Sequence, residues 1–119
     1  MPIQEWSDRI WVTQLGDEPA LSEDLLNLKD RAEQAQPTPD MVLDLSGVSQ
    51  VNSSNLSQLL RLRKLAIDHA AKLRLAGPSN SIWAIFLTTG LDKLFEFAAD
   101  VPSALAGLQI NRGPRPGPS

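Results

Sequence analysis

Met41-Val42-Leu43-Asp44-Leu45 is a short, almost continuously apolar run. It leads through Ser46-Gly47-Val48 into a polar stretch, Ser49-Gln50-Val51-Asn52-Ser53-Ser54-Asn55. An apolar run of this length bounded by turn residues has the pattern of a central strand covered on both faces. Beyond it a helix is predicted from about Ser54 to Ala70, with Leu56, Leu59, Leu60, Ile67 and Ala70 as its buried stripe. The polar stretch is then a turn between the carboxyl end of a central strand and the start of a helix.

The flanking segments repeat this alternation. Arg9 to Leu15 is rich in β-favouring residues (Ile10, Trp11, Val12) and predicts a strand, which Gly16-Asp17-Glu18-Pro19 closes. Ser22 can cap a helix whose apolar face is Leu21, Leu25, Leu28 and Ala32, and which stops before Pro37-Thr38-Pro39. Lys72 to Ala76 predicts a third strand, closed by Gly77-Pro78. Ser79-Asn80-Ser81 can cap a helix through Ile82 to Leu87, with Gly90 suited to a left-handed closing turn. Leu94-Phe95-Glu96-Phe97 predicts a fourth strand. A last helix is expected from Asp100-Val101-Pro102-Ser103 to near Gly107-Leu108, with Pro102 in its first turn. Residues 1–110 are thus expected to form one domain. Residues 111–119, rich in glycine and proline, are expected to be a disordered tail. Strands alternating with helices imply an α/β fold with a mostly parallel or mixed sheet, whose working loops lie at the carboxyl ends of the strands.

Composition narrows the chemistry. The 119 residues contain no cysteine and one histidine and carry a net charge of −3. Thiol catalysis, zinc–thiolate sites, iron–sulfur ligation and multi-histidine metal sites are excluded, so neither a metal site nor a cofactor is expected. The mild acidity speaks against direct nucleic-acid binding, which needs a basic stripe. No apolar run approaches the ~20 residues that span a bilayer, and Met1 to Trp6 does not read as a signal peptide. A cytoplasmic protein that does not insert into membranes is the expectation.

The turn at Asn52-Ser53-Ser54-Asn55 is the sharpest local feature. It sets two hydroxyls at a helix start, where unpaired N–H groups and the helix dipole favour negative charge. One serine can simply cap the helix; alternatively, a phosphate there would sit in a favourable field. A serine hydrolase lacks its base, because His69 lies about four turns away on the same helix. His69 is expected to face solvent near the helix end. Asp44 has no second acid nearby and is expected to bond backbone amides of the following turn. Leu62 and Leu65 fall beside the main stripe, next to Arg61, Arg63 and Lys64. They belong either to a wide buried face or to a partner-binding patch rimmed by cations. Charge is segregated along the chain. The first helix is acidic, whereas Arg61, Arg63, Lys64, Lys72 and Arg74 follow in the second helix and the next strand.

The run from Val42 to Leu56 resembles the signature of STAS domains, the family of the anti-sigma factor antagonists and of a domain of sulfate transporters. Gln14-Leu15-Gly16-Asp17 resembles the family's Leu-x-Gly-Glu turn, and Thr89-Gly90-Leu91-Asp92-Lys93-Leu94-Phe95 its Gly-Leu-Asp-x-Leu-Phe segment. The resemblance implies a STAS-like mixed β-sheet of about four to five strands with helices packed mainly on one side. It implies no enzyme but a protein-interaction switch, an anti-sigma factor antagonist that binds an anti-sigma factor serine kinase. Ser53 would be the phosphorylated residue, with Asn52, Ser54, Asn55, Ser57, Arg61 and Leu62 as partner-binding residues. Asn52 stands where the family usually has Asp, and Asn55 where it usually has Gly. These two departures motivate an alternative, a non-phosphorylated STAS scaffold or accessory subunit of a stress-sensing or lipid/anion transport complex.

Overall fold

The computed structural model describes residues 3–112, with side chains described through residue 108. Its elements run β1 (Ile3–Glu5), β2 (Ile10–Gln14), α1 (Ala20–Gln34), β3 (Asp40–Asp44), α2 (Ser53–Asp68), β4 (Leu73–Ala76) and α3 (Asn80–Thr89), then a 3-10 turn (Leu91–Lys93), β5 (Glu96–Ala98) and α4 (Val101–Arg112). The strands form one sheet in the order β1-β2-β3-β4-β5. β1 is antiparallel to β2, and every other neighbour is parallel. This is the mixed α/β sheet that the alternation predicts.

The two-residue period of the strands splits the core in two. Trp11, Met41, Leu43, Leu73 and Leu75 face a large layer built from α1, α2 and α3, together with Leu25, Leu28, Leu59 and Phe86. Ile10, Val12, Val42 and Ala76 face the other way, onto Ala104 and Leu108 of α4. Three helices therefore cover one face and one covers the other. β3 lies at the centre, with Met41, Val42 and Leu43 fully buried, as its continuous apolar run requires.

The structure departs from the sequence reading in several places. β1 was not expected: three residues carry no periodic signal, and Ile3 to Glu5 is placed by its pairing with Thr13 to Trp11. It is held further by Glu5, which pairs with Arg31 at 3.2 Å while the same guanidinium lies 5.3 Å over the Trp11 ring. α1 begins at Ala20 with Pro19 as its first flanking residue, so Ser22 lies inside the helix and does not cap it. α2 buries Leu59, Leu62, Leu65 and Ala66, whereas Ile67 is 58% exposed and Ala70 lies past the helix end in a left-handed conformation. The stripe expected from Leu56, Leu60 and Ile67 is thus rotated. Leucines occur on two overlapping tracks of this helix, and its contacts with α1 and the sheet select between them. The Leu91–Lys93 turn delays β5 to Glu96. α4 runs on to Arg112, so residues 111 and 112 continue a helix that was expected to end near Leu108. The remainder of the expected tail, 113–119, lies outside the described residues.

Other local expectations match. Ser79 accepts the Ile82 N–H at 3.3 Å as the N-cap of α3, and Gly90 closes that helix at φ 77°. Asp100 Oδ1 accepts the Ser103 N–H at 2.8 Å at the start of α4, with Pro102 in the first turn.

Candidate functional site

Because β2, β3 and β4 are parallel, the loops that leave their carboxyl ends meet at one pole, and α1, α2 and α3 begin there. The serine turn is built at this pole. Asp44 Oδ1 accepts the Ser46 N–H at 3.0 Å, the amide-bonding role expected of it, and Val48 N–H bonds Leu45 O at 3.0 Å. Gly47 packs so closely on the β2–α1 loop that a Cβ there would lie 2.9 Å from the Leu15 carbonyl oxygen.

Two carboxylates from that neighbouring loop hold the turn in place. Asp17 accepts the Ser49 N–H at 2.7 Å, the Ser49 hydroxyl at 2.6 Å and the Gln50 N–H at 3.3 Å. Glu18 accepts the Ser22 N–H at 2.8 Å, the Ser22 hydroxyl, and the Asn55 side-chain amide at 3.0 Å. The Ser49 hydroxyl and then its amide hold the Asp17 carboxyl below its ordinary range. The Ser22 hydroxyl, followed by the Asn55 amide, does the same for Glu18. Hydrogen bonds donated to a carboxylate favour its charged form, so both groups are anchoring anions rather than poised acids. Between Asp17, Glu18, Ser49 and Asn52 lies an open depression of about 310 Å³.

The cap of α2 is Asn52, not a serine. Its side chain accepts the Asn55 N–H at 2.8 Å, and the Asn55 side chain accepts the Asn52 N–H at 3.0 Å, a reciprocal capping box. Asn55 is fully buried; its amide also reaches Ser22 Oγ at 3.2 Å and Gln58 Oε1 at 3.5 Å. Ser53 and Ser54 occupy the first helical positions with exposed side chains, and no acidic side chain stands in the first turn. The Ser53 hydroxyl makes no hydrogen bond among the described residues. It therefore sits at the positive end of a 16-residue helix with its acceptor capacity unused.

Of the residues named from the sequence, Asn52, Ser53, Ser54, Ser57 and Arg61 are exposed on this end and flank of α2. Two are not. Leu62 is fully buried in the main core and presents no surface to a partner, so the wide-buried-face reading is the right one for it and for Leu65. Asn55 turns inward and positions the turn instead of contacting anything outside. Asp17, Glu18, Ser22 and Gln58 were missed. No local signal marks them: the sheet decides that β2 lies beside β3, and that pairing brings the Asp17-Glu18 loop against the serine turn. His69 ends α2 at the far pole, exposed, with its ring Nδ1 3.0 Å from the Leu65 carbonyl oxygen. Among the described residues no cluster of three or more metal-ligating side chains occurs, and no helix is long and apolar enough to cross a membrane.

Residues 17–104 match the family model of the STAS domain. Comparison with curated protein sequences gives no match. Similar solved structures include a variant of RsbS from Moorella thermoacetica (18% identity over 93% of this chain and 96% of that one, TM-score 0.80). Another is an anti-sigma-factor antagonist domain protein from Planctomyces limnophilus (18% identity, 89% and 95%, TM-score 0.76). A third is the Bacillus cell fate determinant SpoIIAA in its phosphorylated form (19% identity, 92% and 96%, TM-score 0.61).

Proposed function

The chain belongs to the STAS domain family, and from that premise we propose that it is a regulatory binding module, an anti-sigma factor antagonist switched by phosphorylation of Ser53. Unmodified, the exposed start of α2, with Ser53, Ser54, Ser57 and Arg61, docks on an anti-sigma factor that is also a serine kinase. The phosphorylated form is released, because a dianion brought into a protein interface costs desolvation and repels acidic neighbours. Asp17 and Glu18 already supply negative charge beside the turn.

One observation carries this reading: Asn52 performs the capping that would otherwise occupy a serine, which leaves the Ser53 hydroxyl exposed at the helix start. The fold is shared with an anti-sigma-factor antagonist and with a protein known in a phosphorylated form, and this supports the same role here. The inward turn of Asn55 supports it further, because the side chain that replaces the family's usual glycine does not project over Ser53.

Incubation with ATP and a serine kinase of the anti-sigma class, read by mass spectrometry, is expected to add one phosphate at Ser53 and none to Ser53→Ala. Calorimetry with the unmodified partner is expected to show Ser53→Asp binding at least tenfold more weakly, about 1.4 kcal/mol. Equal binding by Ser53→Asp refutes the switch and leaves the scaffold or accessory-subunit reading.

A further inference from the structure

At the pole opposite Ser53, the last turns of α2 and the entries to β4 and β5 enclose a shallow cavity of about 210 Å³. Its floor is apolar (Ala66, Leu73, Phe95), and two unusually exposed side chains, Ile67 at 58% and Leu94 at 41%, stand at its rim. Two cations flank it. Arg63 is fixed by donating Nε–H to the Leu94 carbonyl oxygen at 2.7 Å, and Lys72 makes no ion pair among the described residues. The carboxylate at its margin, Glu96, is engaged with Arg74 at 3.2 Å.

α1 carries the complementary pattern. Leu26 projects outward with 54% exposure. Glu23 and Asp30, three residues before and four after it, are exposed on the same side and make no ion pair among the described residues. An acidic helix face with a leucine at its centre thus exists on the same chain as an apolar cavity between two cations.

We propose that this chain self-associates head to tail, with Leu26 of one copy seated in the Arg63–Lys72 cavity of the next and Glu23 and Asp30 facing the two cations. A cavity-to-cavity dimer is disfavoured, because it would set Arg63 and Lys72 against their own copies. The contact joins two different surfaces, so a joined pair keeps one free cavity, on one copy, and one free Leu26 face, on the other, and the assembly grows as a ring or an open chain. One leucine and two charge pairs make a small interface, which places the association in the weak, transient class and makes it sensitive to salt. Ile67 lies 14 residues beyond Ser53, or about 21 Å along α2, so this contact and the proposed switch do not compete.

Sedimentation velocity on the full chain tests this, from about 10 µM to about 1 mM in low salt, a range that brackets weak association. The weight-average mass is expected to rise with concentration and to fall back when salt is raised to about 0.5 M, where the Debye length is only a few Å. Arg63→Glu/Lys72→Glu and Glu23→Lys/Asp30→Lys are each expected to remain monomeric, and an equimolar mixture of the two is expected to associate again. Ser53→Asp is expected to associate like the wild type, which separates this result from the fate of the switch. A chain monomeric throughout the range, association that persists in both charge-reversal variants, or a mixture that stays monomeric overturns the proposal. Circular dichroism of each variant confirms that it is folded.

Discussion

Replacing Asn55 by alanine probes the joint that holds the serine turn. The side chain is fully buried, accepts the Asn52 N–H at 3.0 Å and donates to Ser22 Oγ at 3.2 Å and Glu18 Oε2 at 3.0 Å. The two neutral bonds are worth about 1 kcal/mol each, and the unfilled space left by the amide adds about 1 kcal/mol more. A loss of roughly 2–3 kcal/mol is expected, or roughly 10 °C in Tm for a domain of this size. Urea unfolding followed by circular dichroism measures it. The double variant Asn52→Ala/Asn55→Ala should lose less than the two single losses added together, because the capping box joins the two side chains. Asn55→Asp is a sharper test. It keeps the acceptor for Asn52 but places a carboxylate against Glu18 where an amide donor stood. This variant is expected to be less stable than the wild type near neutral pH, with the deficit shrinking as pH falls and one carboxyl regains a proton. A loss below about 0.5 kcal/mol in Asn55→Ala, typical of an uninvolved surface position, would refute the claim that Asn55 ties α2 to the α1 loop.

Leu62→Ala is expected to cost about 2–5 kcal/mol as a cavity-forming core change, whereas Ile67→Ala on the same helix should cost less than about 0.5 kcal/mol; parallel denaturant melts compare them, and the reverse order would contradict the observed phase of α2. Asp17, Glu18 and Asp100 are all held below their ordinary values, each chiefly by a serine hydroxyl, Ser49, Ser22 and Ser103 respectively. Carboxyls depressed in the folded state contribute stability that is fully present above their unfolded values, near pH 4, and is lost as pH falls through the folded values. Melts between about pH 6 and pH 3 should show this loss, and it should be smaller in Asp17→Asn.

How much could be read in advance depended on the range of the interaction that decides each feature. Ser79 as a cap, Gly90 as a left-handed closing residue, Pro102 in a first turn and Asp44 bonding the Ser46 amide all matched, because each is settled within three or four residues of chain. Ser22 was misread although the contact is local: the helix opens earlier, at Ala20, and Glu18, four residues before Ser22, accepts its amide and hydroxyl. Within the site, the serine turn and its exposure were legible from residue types, but its wall of Asp17 and Glu18 was not, since 32 or more residues separate it from Ser49 and Asn55.

By itself, the sequence determined the alternation of strands and helices, the burial of β3, the place of the serine turn at a helix start, and the exclusion of thiol and multi-histidine metal chemistry. Those follow from local propensity, side-chain period and residue inventory, which need no partner elsewhere in the chain. Tertiary structure alone decided which leucines of α2 face inward, that three residues near the start of the chain form an edge strand, and that Asn52 and Asn55 relieve the serines of capping. The physical reason is the same in each case. An amphipathic helix offers several faces of similar hydrophobicity, and a short strand or a buried amide is indifferent until a distant segment supplies its hydrogen bonds.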